Sequence, residues 1–472
     1  MIDFNLGLIE GKAGVLVYAS AGPDGSLGQG WRPLEPEETS AIEGVRQRAE
    51  PAIASLSMGG LTRDLAAASA RHPSNEGAEE TLRELGWELF RILVQDEVRE
   101  VYERARSATL NGEQDALLFL LKFRASSSLQ RVPWELLHDG YRFLAKDPRT
   151  AIVRYFEQPP PVARLEIQPP LRVLVTLANP RDMPPLKLEE EAAAIHAAYE
   201  EAGRLVEVVV KRNISLEKLE KVWRRAGNEG KPFHIWHHCG HGERRAHAGR
   251  DAFVLCLEAE GKSQPVSVDQ LQEIVGFCPE LRVAVFNVCH GGSGVGIVPA
   301  LARLNVPVVV GFQQAVRDPA AVQFAAVLHE GLLHIPVELA VSQARSSLNV
   351  QRSSFDWSHA LAFSRRRDRG AILAKRKTRD TRKSKGGVTI EIGTLGGTDS
   401  EVIGASYIGG TRHRPGDQPI HIKADEITGS GARLVGFESI SGFSEAEIEA
   451  REARVKRLLK RLEGQASSRR QP

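Results

Sequence analysis

Phe233–Gly242 reads FHIWHHCGHG and Leu281–Gly292 reads LRVAVFNVCHGG. Each begins as a strand-like apolar run and ends in glycines beside a reactive side chain, His241 in one and Cys289 in the other. The surrounding sequence alternates in the same style. LRVLVTLA (171–178) is a continuous apolar run of the type buried on both faces, and KLEEEAAAIHAAYEEAG is a helix that stops at Gly203. LVEVVV (205–210) is a second strand and SLEKLEKVWRRAG a second helix, so FHIWHHC is the third strand. The hairpin-like DAFVLCLEAEGKSQPVSV and a short helix, DQLQEIVGF, lead to LRVAVFNV as the fourth. A helix around Ile297–Leu304, a fifth strand VPVVVGF (306–312) and a helix from Pro319 to Gly331 complete the series. Strands alternating with helices in this way predict right-handed crossovers and a mostly parallel α/β sheet flanked by helices.

In such a sheet, functional groups gather at the carboxyl edge of the strands. If the third and fourth strands are neighbours, His241 and Cys289 share that edge. An imidazole within reach of a thiol can activate it, because the thiolate is the attacking species. The adjoining glycines admit a substrate backbone and leave the Gly242 and Cys289 amides free to donate to a developing oxyanion.

The flanks are separate segments. Residues 1–158 hold a hairpin with a Gly-rich turn (GLIEGKAGVLVYASAGPDGSLGQGW) and an amphipathic helix (TLRELGWELFRILVQDEVREVYERA). A proline-rich connector, EQPPPVARLEIQPP, hands this part to a core spanning 159–364. A basic linker (365–387) carries eleven Lys/Arg against two Asp between Arg365 and Lys385. A Gly-rich β unit (388–443) follows, in which IGTLGG and IGASYIGG echo one another as a short repeat. Ser444 and Glu447 then form a capping box, with Phe443 and Ile448 as its staple, at the start of a final helical tail (444–472).

Bulk properties fit this picture. Hydrophobic residues make up 42% and charged residues 26% of 472, with a formal net charge of +2, as in ordinary globular domains. Four cysteines, no secretory leader and no membrane-length apolar run point to a cytoplasmic protein with reduced thiols.

The ordered set of motifs resembles the CHAT-domain proteins, a bacterial branch of the caspase and separase clan. It includes LRELGWELFRIL, Pro133-Trp134-Glu135-Leu136-Leu137 with Arg154 after it, His237, Gly240-His241-Gly242 and Val268-Asp269-Gln270-Leu271. It continues through Val285-Phe286-Asn287-Val288-Cys289, Pro307–Gly311, Val316-Arg317-Asp318-Pro319-Ala320-Ala321 and ELAVSQARSSL. The 48 residues from His241 to Cys289 agree with the roughly 50 of caspases. The resemblance implies a caspase-like fold with an N-terminal pseudo-domain. It also implies a His241/Cys289 dyad that cleaves peptide bonds without metal or organic cofactor, in a protein substrate and under the control of a sensor protein. Two positions depart from the family pattern. Gly291-Gly292 stands where a Ser or Thr often precedes the glycine, and Gln313 or Gln314 replaces a tryptophan expected in the substrate pocket.

Plainer readings stand beside these. Cys289 taken alone is an inert buried thiol. His237, His238, Cys239 and His241 suggest zinc, but alternation along a strand turns His238 away from His237 and Cys239 and leaves too few ligands. His234 and His238 read as core or supporting histidines, His290 as a solvent-facing neighbour, and Trp134 and Glu135 as structural. Asp318 reads first as a cap for the helix at Pro319 and second as a pocket residue selecting a basic side chain. The basic linker has no interleaved aromatic residue, so nucleic-acid binding is not expected; with a pocket accepting Arg or Lys it becomes a self-processing site. The alternative to a peptidase is a non-catalytic CHAT scaffold or signalling module with a vestigial dyad.

Overall fold

The computed structural model describes residues 1–11, 14–22, 25–61, 73–111, 116–123, 128–155, 167–247, 250–288, 306–313, 316–352, 355–365, 371–372, 388–396, 401–403, 420–428 and 433–435. The chain divides into two units, one of Met1–Ala374 with Arg454–Pro472 and the other of Lys375–Ala453.

In the first unit the strands are β1 (Ile2–Gly11), β2 (Gly14–Ala21), β3 (Gly28–Pro33), β4 (Leu117–Phe123), β5 (Thr150–Tyr155), β6 (Leu171–Leu177) and β7 (Val206–Lys211). They continue as β8 (Ile235–Cys239), β9 (His241–His247), β10 (Arg250–Ala259), β11 (Lys262–Ser267), β12 (Val283–Asn287), β13 (Val308–Phe312) and β14 (Ala360–Ser364). The described helices are α1 (Pro36–Leu61), α2 (Pro73–Leu93), α3 (Asp96–Leu110), α4 (Leu188–Ala198), α5 (Leu216–Asn228), α6 (Val268–Val275), α7 (Asp318–Leu332) and α8 (Val337–Arg352).

The five strands expected from alternation pair in parallel in the order β7-β6-β8-β12-β13. Counted by appearance this is 2-1-3-4-5, a doubly wound order whose ligand sites lie beyond the carboxyl ends of the strands. Every residue of β8 and β13 is buried, so neither run alternates apolar with solvent-facing residues, and the two histidines of β8 are buried with hydrogen-bond partners. Beyond β13 the sheet continues through an antiparallel partner, β14, into β5, β4 and β1, which run parallel to β14, and ends in the antiparallel meander β2-β3. One eleven-stranded sheet thus runs from the N-terminal region through the core. At the junction, Arg154 on β5 donates to both Glu135 oxygens, at 3.1 and 2.5 Å, and Arg345 of α8 donates to the Ile152 and Ala360 carbonyls. All three side chains are fully buried. Trp134 is also buried, its indole donating to the Leu129 carbonyl, so Trp134 and Glu135 are both part of the packed interior.

Some boundaries differ from the sequence reading, among them the end of α4, which comes at Ala198 rather than Gly203. The amphipathic run Thr81–Ala105 is two helices, broken at Val94-Gln95 and restarted at Asp96 with φ 49°. The break occurs at neither glycine nor proline, so no local signal announces it. Helix α7 begins at Asp318, with Arg317 as its N-cap, one residue earlier than expected. The hairpin-like stretch is part of a three-stranded sheet, β11-β10-β9, because the chain enters β9 at His241 itself. Arg365 and Ile372, at the start of the basic run, are buried; Arg365 donates its amide to Pro307, and the Ile372 carbonyl accepts from Ile167.

In the second unit β15 (Val388–Gly396) pairs in parallel with β17 (Ile420–Thr428), and β16 (Glu401–Ile403) with β18 (Arg433–Val435). The helix expected around Ile297–Leu304 and the capped helix from Ser444 lie outside the described residues.

Candidate active site

The strands that lead towards the two expected reactive positions, β8 and β12, are direct neighbours. β8 and β12 pair in parallel with Asn287 opposite Cys239, and the Gly240 amide donates to the Asn287 carbonyl at 3.3 Å. Gly240 is required by close packing: a Cβ there would lie 2.9 Å from His238 Nε2 and 3.0 Å from the Ala178 carbonyl. His241 follows at the carboxyl edge. Its side chain is buried and its Nε2 lies 2.9 Å from the Pro184 carbonyl. That acceptor fixes the ring proton on Nε2 and leaves Nδ1 bare, with no hydrogen-bond partner among the described residues. Burial pulls the His241 pKa down, against smaller upward pulls from the Pro184 carbonyl, Glu243 and Asp318. The imidazole is therefore neutral near pH 7 and able to accept a proton.

Val288 is the last described residue of the fourth strand's end, and Cys289, Gly291 and Gly292 lie outside the described residues, as do His290 and Gln314. The other three cysteines are buried. Burial pushes the Cys239 thiol well up, Cys256 to about 11 and Cys278 upward. None of them is a thiolate at neutral pH. Gly242 lies on β9 opposite Leu255.

Asp318 and Gln313 part company. Asp318 borders a cleft of about 30 Å³ at the carboxyl edge, with Glu191, Gly240, Asn287, Val288 and Phe312 among its other walls. Its carboxylate accepts the amide of Lys187, the N-cap of α4, at 3.2 Å, and burial raises its pKa. Asp318 thus serves the N-terminus of α4 rather than its own helix. Gln313 is not among the residues lining this cleft; its amide donates to Glu135 at 2.9 Å.

Beneath the strand ends is a buried polar chain that the sequence did not reveal. Asn287 Nδ2 donates to Glu191 Oε1 at 2.6 Å, and the same oxygen lies 2.7 Å from His237 Nε2. His237 Nδ1 lies 2.8 Å from His329 Nε2, and His329 Nδ1 lies 2.8 Å from the Tyr199 hydroxyl. Burial pushes the His329 pKa well down and the Tyr199 pKa up, so both are neutral. Alternation along β8 does point His238 to the opposite face, where Nδ1 lies 2.9 Å from Thr176 Oγ1 and burial lowers its pKa to about 3. On the first face, however, Glu191 supplies a ligand that the sequence reading lacked. One atom each of Glu191, His237 and Cys239 lie within 4.8 Å of one another. Glu191 is one of three successive glutamates in the first turn of α4, and nothing local distinguishes it.

A family model described as the CHAT domain matches residues 82–365, more than half of the chain. No curated protein matches the sequence. Among solved structures, the separase–securin complex of Saccharomyces cerevisiae aligns over 77% of this chain and 30% of its own, with 11% identity and a TM-score of 0.42. A secreted C11 cysteine protease of Bacteroides thetaiotaomicron, solved with an irreversible peptide inhibitor, aligns over 39% of this chain and 58% of its own (14% identity, TM-score 0.30). The Drosophila initiator caspase Dronc aligns over 43% and 81% (8% identity, TM-score 0.29). The chain spans less than a third of the separase chain that it matches.

Proposed function

Because the chain belongs to the CHAT-domain family, we propose that it is a cysteine endopeptidase acting on a protein partner through His241 and Cys289. The observation that carries this reading is the pairing of β8 with β12, which ends the two strands side by side, with His241 held through Nε2 and bare at Nδ1. In this mechanism the Cys289 sulfur attacks the scissile carbonyl carbon while His241 Nδ1 takes the thiol proton. The same proton then passes to the leaving amine, and water hydrolyses the thioester. The Gly242 and Cys289 amides hold the oxyanion. The cleft beside Asp318 receives the side chain before the scissile bond, and the Asp318 carboxylate favours a basic one. A sensor protein controls activity, as in an effector of bacterial defence or signalling.

The test compares wild type with Cys289→Ala in lysate of the native host, reading new protein N-termini by mass spectrometry. Termini after Lys or Arg that appear only with wild type are expected. Asp318→Asn should then shift the preference; an unchanged preference would leave Asp318 as a helix cap alone. If a thiol-directed probe finds Cys289 no more reactive than Cys239, Cys256 and Cys278, the chain is a non-catalytic scaffold instead.

A further inference from the structure

We propose that Glu191, His237 and Cys239 form a structural site for a divalent transition-metal ion of the zinc class, completed by Asn287 or a water. The period of two along β8 puts His237 and Cys239 on one face, and the first turn of α4 brings Glu191 against them. Their ligand atoms already lie within 4.8 Å of one another, and all three residues are buried. The donor set is one nitrogen, one sulfur and one oxygen. That mixture suits zinc and excludes the hard cations calcium and magnesium, which take oxygen alone.

The surroundings and the charge count agree. Glu191 is buried and bonded by His237 and Asn287, with no lysine or arginine bonded to it among the described residues. A dication bound by one carboxylate, one thiolate and neutral imidazole gives a site of zero net charge.

The proton balance is simple. Cys239 Sγ–H gives its proton to solvent as the metal–sulfur bond forms. His237 exchanges its Nε2 proton for one on Nδ1, and His329 makes the matching change, so neither ring gains or loses a proton overall. His237 Nδ1–H then donates to His329 Nε2, and His329 Nδ1–H to the Tyr199 hydroxyl, across the two 2.8 Å contacts already present. A ligating histidine whose second nitrogen is held by a further acceptor is the usual arrangement around bound zinc. The ion has a route in, since Glu191 and Asn287 both border the 30 Å³ cleft, which is wide enough for one water.

The test titrates the metal-stripped full-length chain with cobalt(II) and follows absorption. One equivalent should produce the visible bands of tetrahedral cobalt and a near-ultraviolet thiolate-to-cobalt band, and zinc should displace it and raise Tm. Cys239→Ser should abolish the thiolate band. Glu191→Gln, which can accept the same hydrogen bonds and so keeps the fold, should weaken binding at least about tenfold. Cys289→Ala should bind as wild type does, because the site is independent of the proposed dyad. The proposal is overturned by any of three results: no thiolate band in wild type, a band that survives Cys239→Ser, or a band lost in Cys289→Ala, which would place the ion on the dyad.

Discussion

His234, at the entry to β8, accepts the Arg172 amide through Nδ1 at 3.0 Å. Burial lowers its pKa to about 4, helped by the charges of Arg282 and Arg172 and opposed by Glu280. The unfolded chain therefore binds a proton below about pH 6.5 that the folded chain refuses until about pH 4. Stability is full above the first value and falls as pH drops through that window. With the ring only partly buried, solvent screening holds the loss to on the order of 1–2 kcal/mol. Urea denaturation at pH 7 and pH 4.5 should show it, and His234→Asn should flatten the difference. Glu135 makes a sharper prediction. It is the carboxylate bonded to Arg154 at the sheet junction, with Arg345 4.0 Å away and all three side chains out of water. Glu135→Ala should cost about 3–5 kcal/mol, because it strands buried guanidinium groups; a loss under about 1 kcal/mol in denaturant titration would contradict this. The partners of Glu135 were illegible in the sequence, since Arg154 is 19 residues away and Arg345 comes from another helix. Glu191 and His329 were hidden for the same reason: a buried glutamate and an exposed one look alike until the fold sorts them.

Among elements, the strands of the core were the most legible, because a strand buried on both faces is predominantly apolar. Helix α2 shows what the pattern omits. Its amphipathic stripe is clear, but Gly86 packs so tightly that a Cβ there would lie 1.9 Å from the Leu136 carbonyl. The Gly86 carbonyl also accepts the His138 amide at 3.2 Å. Gly86→Ala should improve helix propensity and still destabilise, by about 1–3 kcal/mol through overpacking. A Tm equal to or above that of wild type would show that the helix can shift away at no cost. At the other helix, α4, the Lys187 amide depends on Asp318. Asp318→Ala should lower stability by about 1 kcal/mol, the ordinary loss of a capping carboxylate. It should do so whether or not the chain cleaves anything.

At the scale of the whole molecule, all eleven strands of the large sheet are complete by Ser364, and Lys375–Ala453 forms a unit of its own. A chain ended at Ala374 keeps every strand of that sheet while losing Arg454–Pro472 of the larger unit, and should unfold cooperatively at a Tm close to that of the larger unit in the full chain. A collapse in Tm would show that residues after Ala374 complete the fold. By itself the sequence determined the alternation of buried strands and amphipathic helices, the parallel core that follows from it, and the position of His241 just past the end of a core strand. These depend on local periodicity, which the chain writes out residue by residue. Tertiary structure alone decided that β8 and β12 are neighbours and that β14 joins two parallel blocks into one sheet. It also decided which of Glu189, Glu190 and Glu191 turns inward to meet His237. Pairing order and side-chain partnership are contacts between residues distant in sequence, and only chain closure brings such residues together.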